Sequence, residues 1–221
     1  TYATTEYTVT VTIADGGNGQ LSVTPSANHD DLDFTNTYAA SGSLTLSGQK
    51  TLSGRALVPG EFTFEVYPGD SATGTPIRTT TNGTEGVISF APIPYTLADV
   101  GSKTYTVVEK PGSLGGVTYA TNSYEVTVTI ADGGNGQLTV TPSSNYNQLN
   151  FTNTYGATGS VTLSGQKTLS GRDLIDGEFT FEVYAGNTAT GSPIRTATNG
   201  TGGVISFDPI LYNLADVGIK T

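Results

Sequence analysis

The chain repeats itself, and the repeat is cut out of phase. Tyr2-Ala3-Thr4 recurs as Tyr119-Ala120-Thr121, 117 positions later, and the correspondence runs without a gap from Thr1/Thr118 to Thr104/Thr221. About three quarters of the paired positions are identical, the mark of a tandem array of one unit. Any fold for this chain must therefore close within one period and hand the chain on to a copy of itself. The differences are confined: Thr8/Glu125, Asp33/Asn150 and Glu85/Gly202 fall in expected outward or loop positions, while apolar positions in core phase keep their character.

Within the unit, short runs rich in Thr, Val and aromatic residues are separated by Gly, Pro, Asn or Asp. They predict strands at 43–52, 61–67, 86–90, 104–110, 123–130, 137–141 and 148–155. With 35% hydrophobic and 13% charged residues, the composition is that of an all-β protein, and the expected fold is an Ig-like antiparallel β-sandwich in tandem copies. Asp132-Gly133-Gly134-Asn135-Gly136 is a hairpin turn, because Gly and Asn accept the positive φ such turns need. It has the acidic-Gly flavour of a calcium loop without the spaced carboxylates and closing Glu. Residues 40–156 are then a complete sandwich. Residues 1–39 are the last strands of a preceding copy, and residues 157–221 the first strands of a following one.

Composition removes most chemistry. There is no cysteine and one histidine, His29, so disulfides, thiolate zinc sites, histidine metal sites and serine triads are excluded and no cofactor or metal is expected. A net charge of −10 argues against nucleic acid or an anionic membrane as partner. No apolar run approaches the ~20 residues of a membrane span.

Three polar residues stand in the wrong phase. In Leu44-Thr45-Leu46-Ser47-Gly48-Gln49-Lys50-Thr51-Leu52, alternation sets Lys50 on the face of Leu44, Leu46 and Leu52. Glu109 is in phase with Tyr105 and Val107, and Asn153 with Leu149, Phe151 and Tyr155. Burial disfavours charged forms, driving a lysine toward a neutral, nucleophilic amine and a carboxylate toward a neutral acid. A neutral amine beside a carboxamide can attack its carbonyl carbon if the oxygen is polarised and the nitrogen leaves as ammonia. A protonated Glu109 could donate to that oxygen and shuttle the protons, leaving a Lys50–Asn153 isopeptide bond. Phe62, Phe64, Phe151 and Tyr155 are in position to exclude water, whereas Tyr67, Tyr95 and Tyr119 read as facing outward. The residues also admit a plainer arrangement, in which Lys50 snorkels to an ordinary salt bridge with Glu109 and Asn153 caps a loop.

The segments Gly48-Gln49-Lys50-Thr51-Leu52, Glu61-Phe62-Thr63-Phe64, Tyr105-Thr106-Val107-Val108-Glu109 and Phe151-Thr152-Asn153-Thr154-Tyr155 carry a resemblance. With them the chain resembles the isopeptide-containing shaft domains of Gram-positive pilins and repetitive surface adhesins, of the FctA-like and CnaB-like types. The resemblance implies that Lys50 is the amine, Asn153 the acceptor and Glu109 the catalytic acid of a single self-cross-linking event, not of a turnover enzyme. It also implies a structural stalk repeat on the outside of a bacterial cell, with adjacent repeats as partners. No LPxTG-like sorting signal or pilin linkage motif is found, so sortase polymerisation is not implied. The alternative class is a ligand-binding adhesive module for a host protein or glycan. The copies align without insertions, and no outward aromatic cluster marks such a surface.

The flanks carry counterparts of the set but not the set. Asn36 is in phase with Leu32, Phe34 and Tyr38, and Lys167 with Val161, Leu163 and Leu169; no counterpart of Glu109 follows Lys167. Lys167 is therefore expected to stay a free amine. Together the two flanks amount to a domain lacking only the counterpart of residues 105–117, which leads to an expected head-to-tail association of copies. The alternative is that the ends fall without regard to this register.

Overall fold

The computed structural model describes all residues, 1–221. The first flank holds one hairpin, β1 (Val11–Asp15) and β2 (Leu21–Pro25). The central unit holds β3 (Ser41–Leu44), β4 (Ser47–Ser53), β5 (Thr63–Pro68), β6 (Arg78–Thr81), β7 (Val87–Ser89), β8 (Ile93–Thr96), β9 (Gly101–Glu109), β10 (Val117–Thr118), β11 (Ser123–Asp132), β12 (Leu138–Pro142) and β13 (Phe151–Tyr155). The second flank holds β14 (Thr158–Val161), β15 (Ser164–Gln166), β16 (Thr180–Val183), β17 (Arg195–Thr198), β18 (Val204–Ser206) and β19 (Ile210–Asn213). No helix is long and apolar enough to cross a membrane.

Two sheets face each other in the central unit, ordered β10-β13-β4-β7 and β12-β11-β9-β5-β6, and the pair β3-β8 abuts the second through a bridge from Ser41 to Gln137. Alternation produces the inner faces. Along β11, Val126, Val128 and Ile130 are buried while Glu125, Thr127 and Thr129 are exposed. The sheets close on one core cluster drawn from Ala40 to Phe151, an all-β sandwich as expected.

Several details differ from the sequence-based expectation. The run 43–52 breaks at Thr45-Leu46 into β3 and β4, which pair with different partners, β8 and β7. Strands β6, β8 and β10 were not expected. β6 is an edge strand of polar sequence, β8 is interrupted by Pro94, and β10 is two residues long; all three escape a pattern search. The expected antiparallel order also has an exception: β4 and β13 run parallel, with Lys50 opposite Phe151 and Leu52 opposite Asn153. Alternation reports which face a residue takes, not which strand lies beside it.

The flanks reproduce the local pairings of the central unit. Val11↔Pro25 repeats Val128↔Pro142, Ser164↔Ser206 repeats Ser47↔Ser89, and Thr180↔Thr198 repeats Thr63↔Thr81. What the flanks lack is the opposing sheet. Ile13 is 61% exposed where Ile130 is 1%, and Phe34 62% where Phe151 is 0%. Register is thus encoded within each hairpin, whereas burial needs strands far apart in sequence.

The parallel crossing of β4 and β13 leaves no room for a side chain at Gly48, where a Cβ would lie 2.0 Å from the Leu149 carbonyl oxygen. Gly48→Ala is expected to destabilise the chain by on the order of 3 kcal/mol through forced separation of these strands, read as a lowered thermal midpoint. Gly165→Ala, at the counterpart position, meets only the tip of Ile205 at 3.7 Å and should leave the midpoint unchanged.

Candidate functional site

The three out-of-phase residues meet between the sheets. Lys50 reaches in from β4, Asn153 from its parallel neighbour β13, and Glu109 from β9 in the opposite sheet. Lys50 is 1% exposed, Glu109 4% and Asn153 0%. Each carboxylate oxygen of Glu109 takes one partner: Lys50 Nζ donates to Oε2 at 2.6 Å, and Asn153 Nδ2 donates to Oε1 at 2.5 Å. One buried carboxyl group therefore holds amine and carboxamide together.

The other end of the carboxamide is held by the main chain. The Ala120 N–H donates to Asn153 Oδ1 at 2.7 Å. Because a backbone N–H can only donate, it fixes which end of the carboxamide is oxygen. This corrects the expectation that Glu109 would polarise that oxygen; the carboxyl faces the nitrogen, and Ala120 takes the oxygen. Sequence reasoning missed Ala120 because a main-chain donor leaves no residue-type signature. The signal available was the recurrence of Tyr-Ala-Thr, and the contact recurs with it, since the Ala3 N–H donates to Asn36 Oδ1 at 2.8 Å.

Aromatic rings wall the site. The Phe62 ring lies 4.5 Å from Lys50 Nζ, and Tyr119 packs edge-on against Phe62 at 5.7 Å. Phe64 and Phe151, both fully buried, stack at 5.2 Å on the far side. Tyr119 is thus not an outward residue but half of a seal, its hydroxyl anchored by the Leu114 N–H at 3.1 Å. Tyr95 is likewise buried, contrary to expectation, because β8 turns it into the core. Tyr155 is only half-buried, with the Arg55 guanidinium 5.0 Å over its ring. Phe62 is seated by Asn82, which is 1% exposed: its Oδ1 accepts from the Phe62 N–H and its Nδ2 donates to the Val58 carbonyl, both at 2.8 Å.

Burial pushes the Lys50 amine below its ordinary lysine value, and the hydrogen bond and charge of Glu109 oppose the shift without cancelling it. The group is placed to become a neutral nucleophile with a proton acceptor 2.6 Å away. No cluster of three or more His, Asp or Glu side chains converges to hold a metal.

The flank counterparts have parts of this arrangement. Asn36 has its main-chain donor but is solvent-exposed, and no lysine or carboxylate reaches it. Lys167 sits 4.4 Å from the Phe179 ring, the counterpart of Phe62, and Asn199 repeats the bonds of Asn82. Lys167 makes no ion pair with a carboxylate.

A variant that keeps the amine and carboxyl but lacks the carboxamide, Asn153→Ala, isolates the Lys50 shift. Its folded value lies below that of the unfolded chain, so between the two the unfolded chain binds a proton that the folded one does not. The urea midpoint of Asn153→Ala should therefore rise as pH climbs from the folded value toward 10.5, and that gain should be lost as pH drops back through the folded value. Adding Lys50→Met and Glu109→Gln should remove that increment, and an identical pH dependence with and without them would contradict the shift.

The chain matches the family of Spy0128-like isopeptide containing domains, termed FctA, over residues 1–39 and 46–156. No curated protein matches. Among solved structures, it is similar to a major pilin protein of Streptococcus pyogenes at 17% identity, covering 80% of this chain and 75% of that one, with a TM-score of 0.33. A second Streptococcus pyogenes major pilin is 17% identical over 77% of this chain and 73% of the other, also with a TM-score of 0.33. Matching over the first flank and most of the central unit, the chain belongs to the family of Spy0128-like isopeptide containing domains.

Proposed function

We propose that the chain is a structural repeat of a pilin-type shaft on the surface of a Gram-positive bacterium, and that its complete unit stitches itself with an isopeptide bond between Lys50 and Asn153. The observation that carries this reading is the sharing of one buried carboxyl by the amine and the carboxamide nitrogen. Family membership supplies the shaft context. No insertion or exposed aromatic cluster favours the adhesive alternative.

In the reaction, Glu109 first takes a proton from the Lys50 ammonium through the hydrogen bond they share, leaving a neutral amine and a neutral acid. Nζ attacks Asn153 Cγ, and the electron pair of the C=O bond moves onto Oδ1, held by the Ala120 N–H. Glu109 passes its proton to Nδ2 and takes a second from Nζ. The electron pair on Oδ1 returns, the Cγ–Nδ2 bond breaks and ammonia departs. The carboxyl ends protonated beside a neutral amide, so no charge is left buried without a partner. The aromatic walls keep water from competing at Cγ. The residues are consumed in one event, so the unit is not a turnover enzyme.

The bond would close a loop of about 100 residues, for which the cross-link entropy model gives ~4–5 kcal/mol of stabilisation. Because β4 and β13 are parallel neighbours, a pull on the two ends of the unit loads them in shear, and the covalent link would bear it. Adjacent repeats are the partners of such a shaft. The open faces of the flanks, with Ile13 and Phe34 exposed, also support a head-to-tail association between copies.

Intact mass spectrometry should find the chain lighter than its sequence by one ammonia. The deficit should vanish in Lys50→Ala, Glu109→Ala and Asn153→Ala, and persist in Lys167→Ala and Asn36→Ala. A full sequence mass in the unsubstituted chain overturns the cross-link. Light scattering across a concentration series should show association beyond the monomer; monomer throughout would contradict the association without touching the bond.

A further inference from the structure

The turn between β11 and β12 has more built into it than a hairpin requires. Asp132 Oδ1 accepts from the Gly134 N–H at 3.0 Å, and Asn135 Oδ1 accepts from the Gln137 N–H at 3.1 Å. The equivalent turn of the first copy closes in the same way, with Gly17 N–H on Asp15 Oδ1 at 2.8 Å and Gln20 N–H on Asn18 Oδ1 at 3.1 Å. The turn's shape is therefore set by its own residues. Onto this shape comes the hydroxyl of Tyr38, the last aromatic residue of the preceding copy. It donates to Asp132 Oδ1 at 2.7 Å and accepts from the Gly136 N–H at 3.0 Å, so the two ends of the turn satisfy both its donor and its acceptor.

We propose that this turn is a socket for the tyrosine that ends the preceding repeat, and that the contact fixes the orientation of one repeat on the next. The connection is short enough for one contact to decide the angle. A single residue, Ala39, separates Tyr38 from Ala40, which is 5% exposed and belongs to the core of the central unit. So short a tether keeps the hydroxyl at high effective concentration over the turn, which lets a half-exposed hydrogen bond compete with water. The Asp132 carboxylate also holds the Tyr38 phenol above its usual range. Both sides of the contact recur with the period: Tyr155 is the counterpart of Tyr38, and Asp15 to Gly19 that of Asp132 to Gly136. The Tyr155 ring is braced by Arg55, and its hydroxyl belongs to a side chain that is only half-buried. It is the group that the same turn of a following repeat would take.

The contact is independent of the cross-link chemistry, and the chain's lack of cysteine makes it directly testable. Spin labels on Ser22→Cys in the first flank and Thr79→Cys in the central unit, both exposed, report the angle as a distance distribution. The otherwise unsubstituted chain should give one narrow distance. Tyr38→Phe, which removes only the hydroxyl, should lower the population at that distance about three- to tenfold and spread the rest. Asp132→Asn, which keeps an acceptor in place, should lie between the two. An unchanged distribution in Tyr38→Phe overturns the proposal. The intact mass of the same samples reads the cross-link separately, so failure of one reading is not mistaken for failure of the other.

Discussion

The central unit is organised around a single carboxyl group. Glu109 stands on the middle strand of the five-stranded sheet and faces the pair of parallel strands that carry Lys50 and Asn153. Remove it, and a lysine side chain with no solvent access is left without a counter-charge, a cost of about 3–5 kcal/mol. Its two oxygens also decide geometry: one takes the amine, the other the amide nitrogen, so the two groups are in register only when both sheets are. The site therefore depends on sandwich closure in a way that no single hairpin can supply.

Around that carboxyl the rest of the unit acts as support. Asn82 pins the loop that seats Phe62 under the amine, Tyr119 covers Phe62, and the main chain at Ala120 fixes the carboxamide. Gly86 shows how tightly the strand carrying Lys50 is held. With φ of 83° it takes a conformation that favours glycine, and a Cβ there would lie 2.1 Å from the Lys50 carbonyl oxygen. The counterpart, Gly203 against Lys167, has the same closeness, so the housing of the amine is built by local sequence even where no acid arrives.

Much of this was legible in the sequence, and what was not has identifiable causes. Period-2 alternation put Lys50, Glu109 and Asn153 on inward faces, because a strand's side chains have only two directions to choose between. The same logic failed for Tyr95, whose strand lies among prolines and was not recognised as a strand. It failed for Tyr119, which follows a strand of two residues. The parallel pairing of β4 with β13 was invisible because neighbourhood across a hundred residues leaves no mark in alternation. Ala120 contributes a main-chain donor, which every residue but proline has, so its type could not single it out.

The flanks have one more consequence, for the order in which such an array comes into being. Hairpins with a register of their own can form as soon as they are synthesised, yet the amine near the start of its unit waits for a carboxyl from the middle and a carboxamide from the end. Neighbouring units about three quarters identical are prone to exchange halves during that wait, since either half would fit the other's partner. An exchanged pairing between copies is reversible while only hydrogen bonds and apolar contacts hold it. The proposed covalent stitch, which needs all three groups in one closed sandwich, would turn the last step of closure into a commitment, made one repeat at a time.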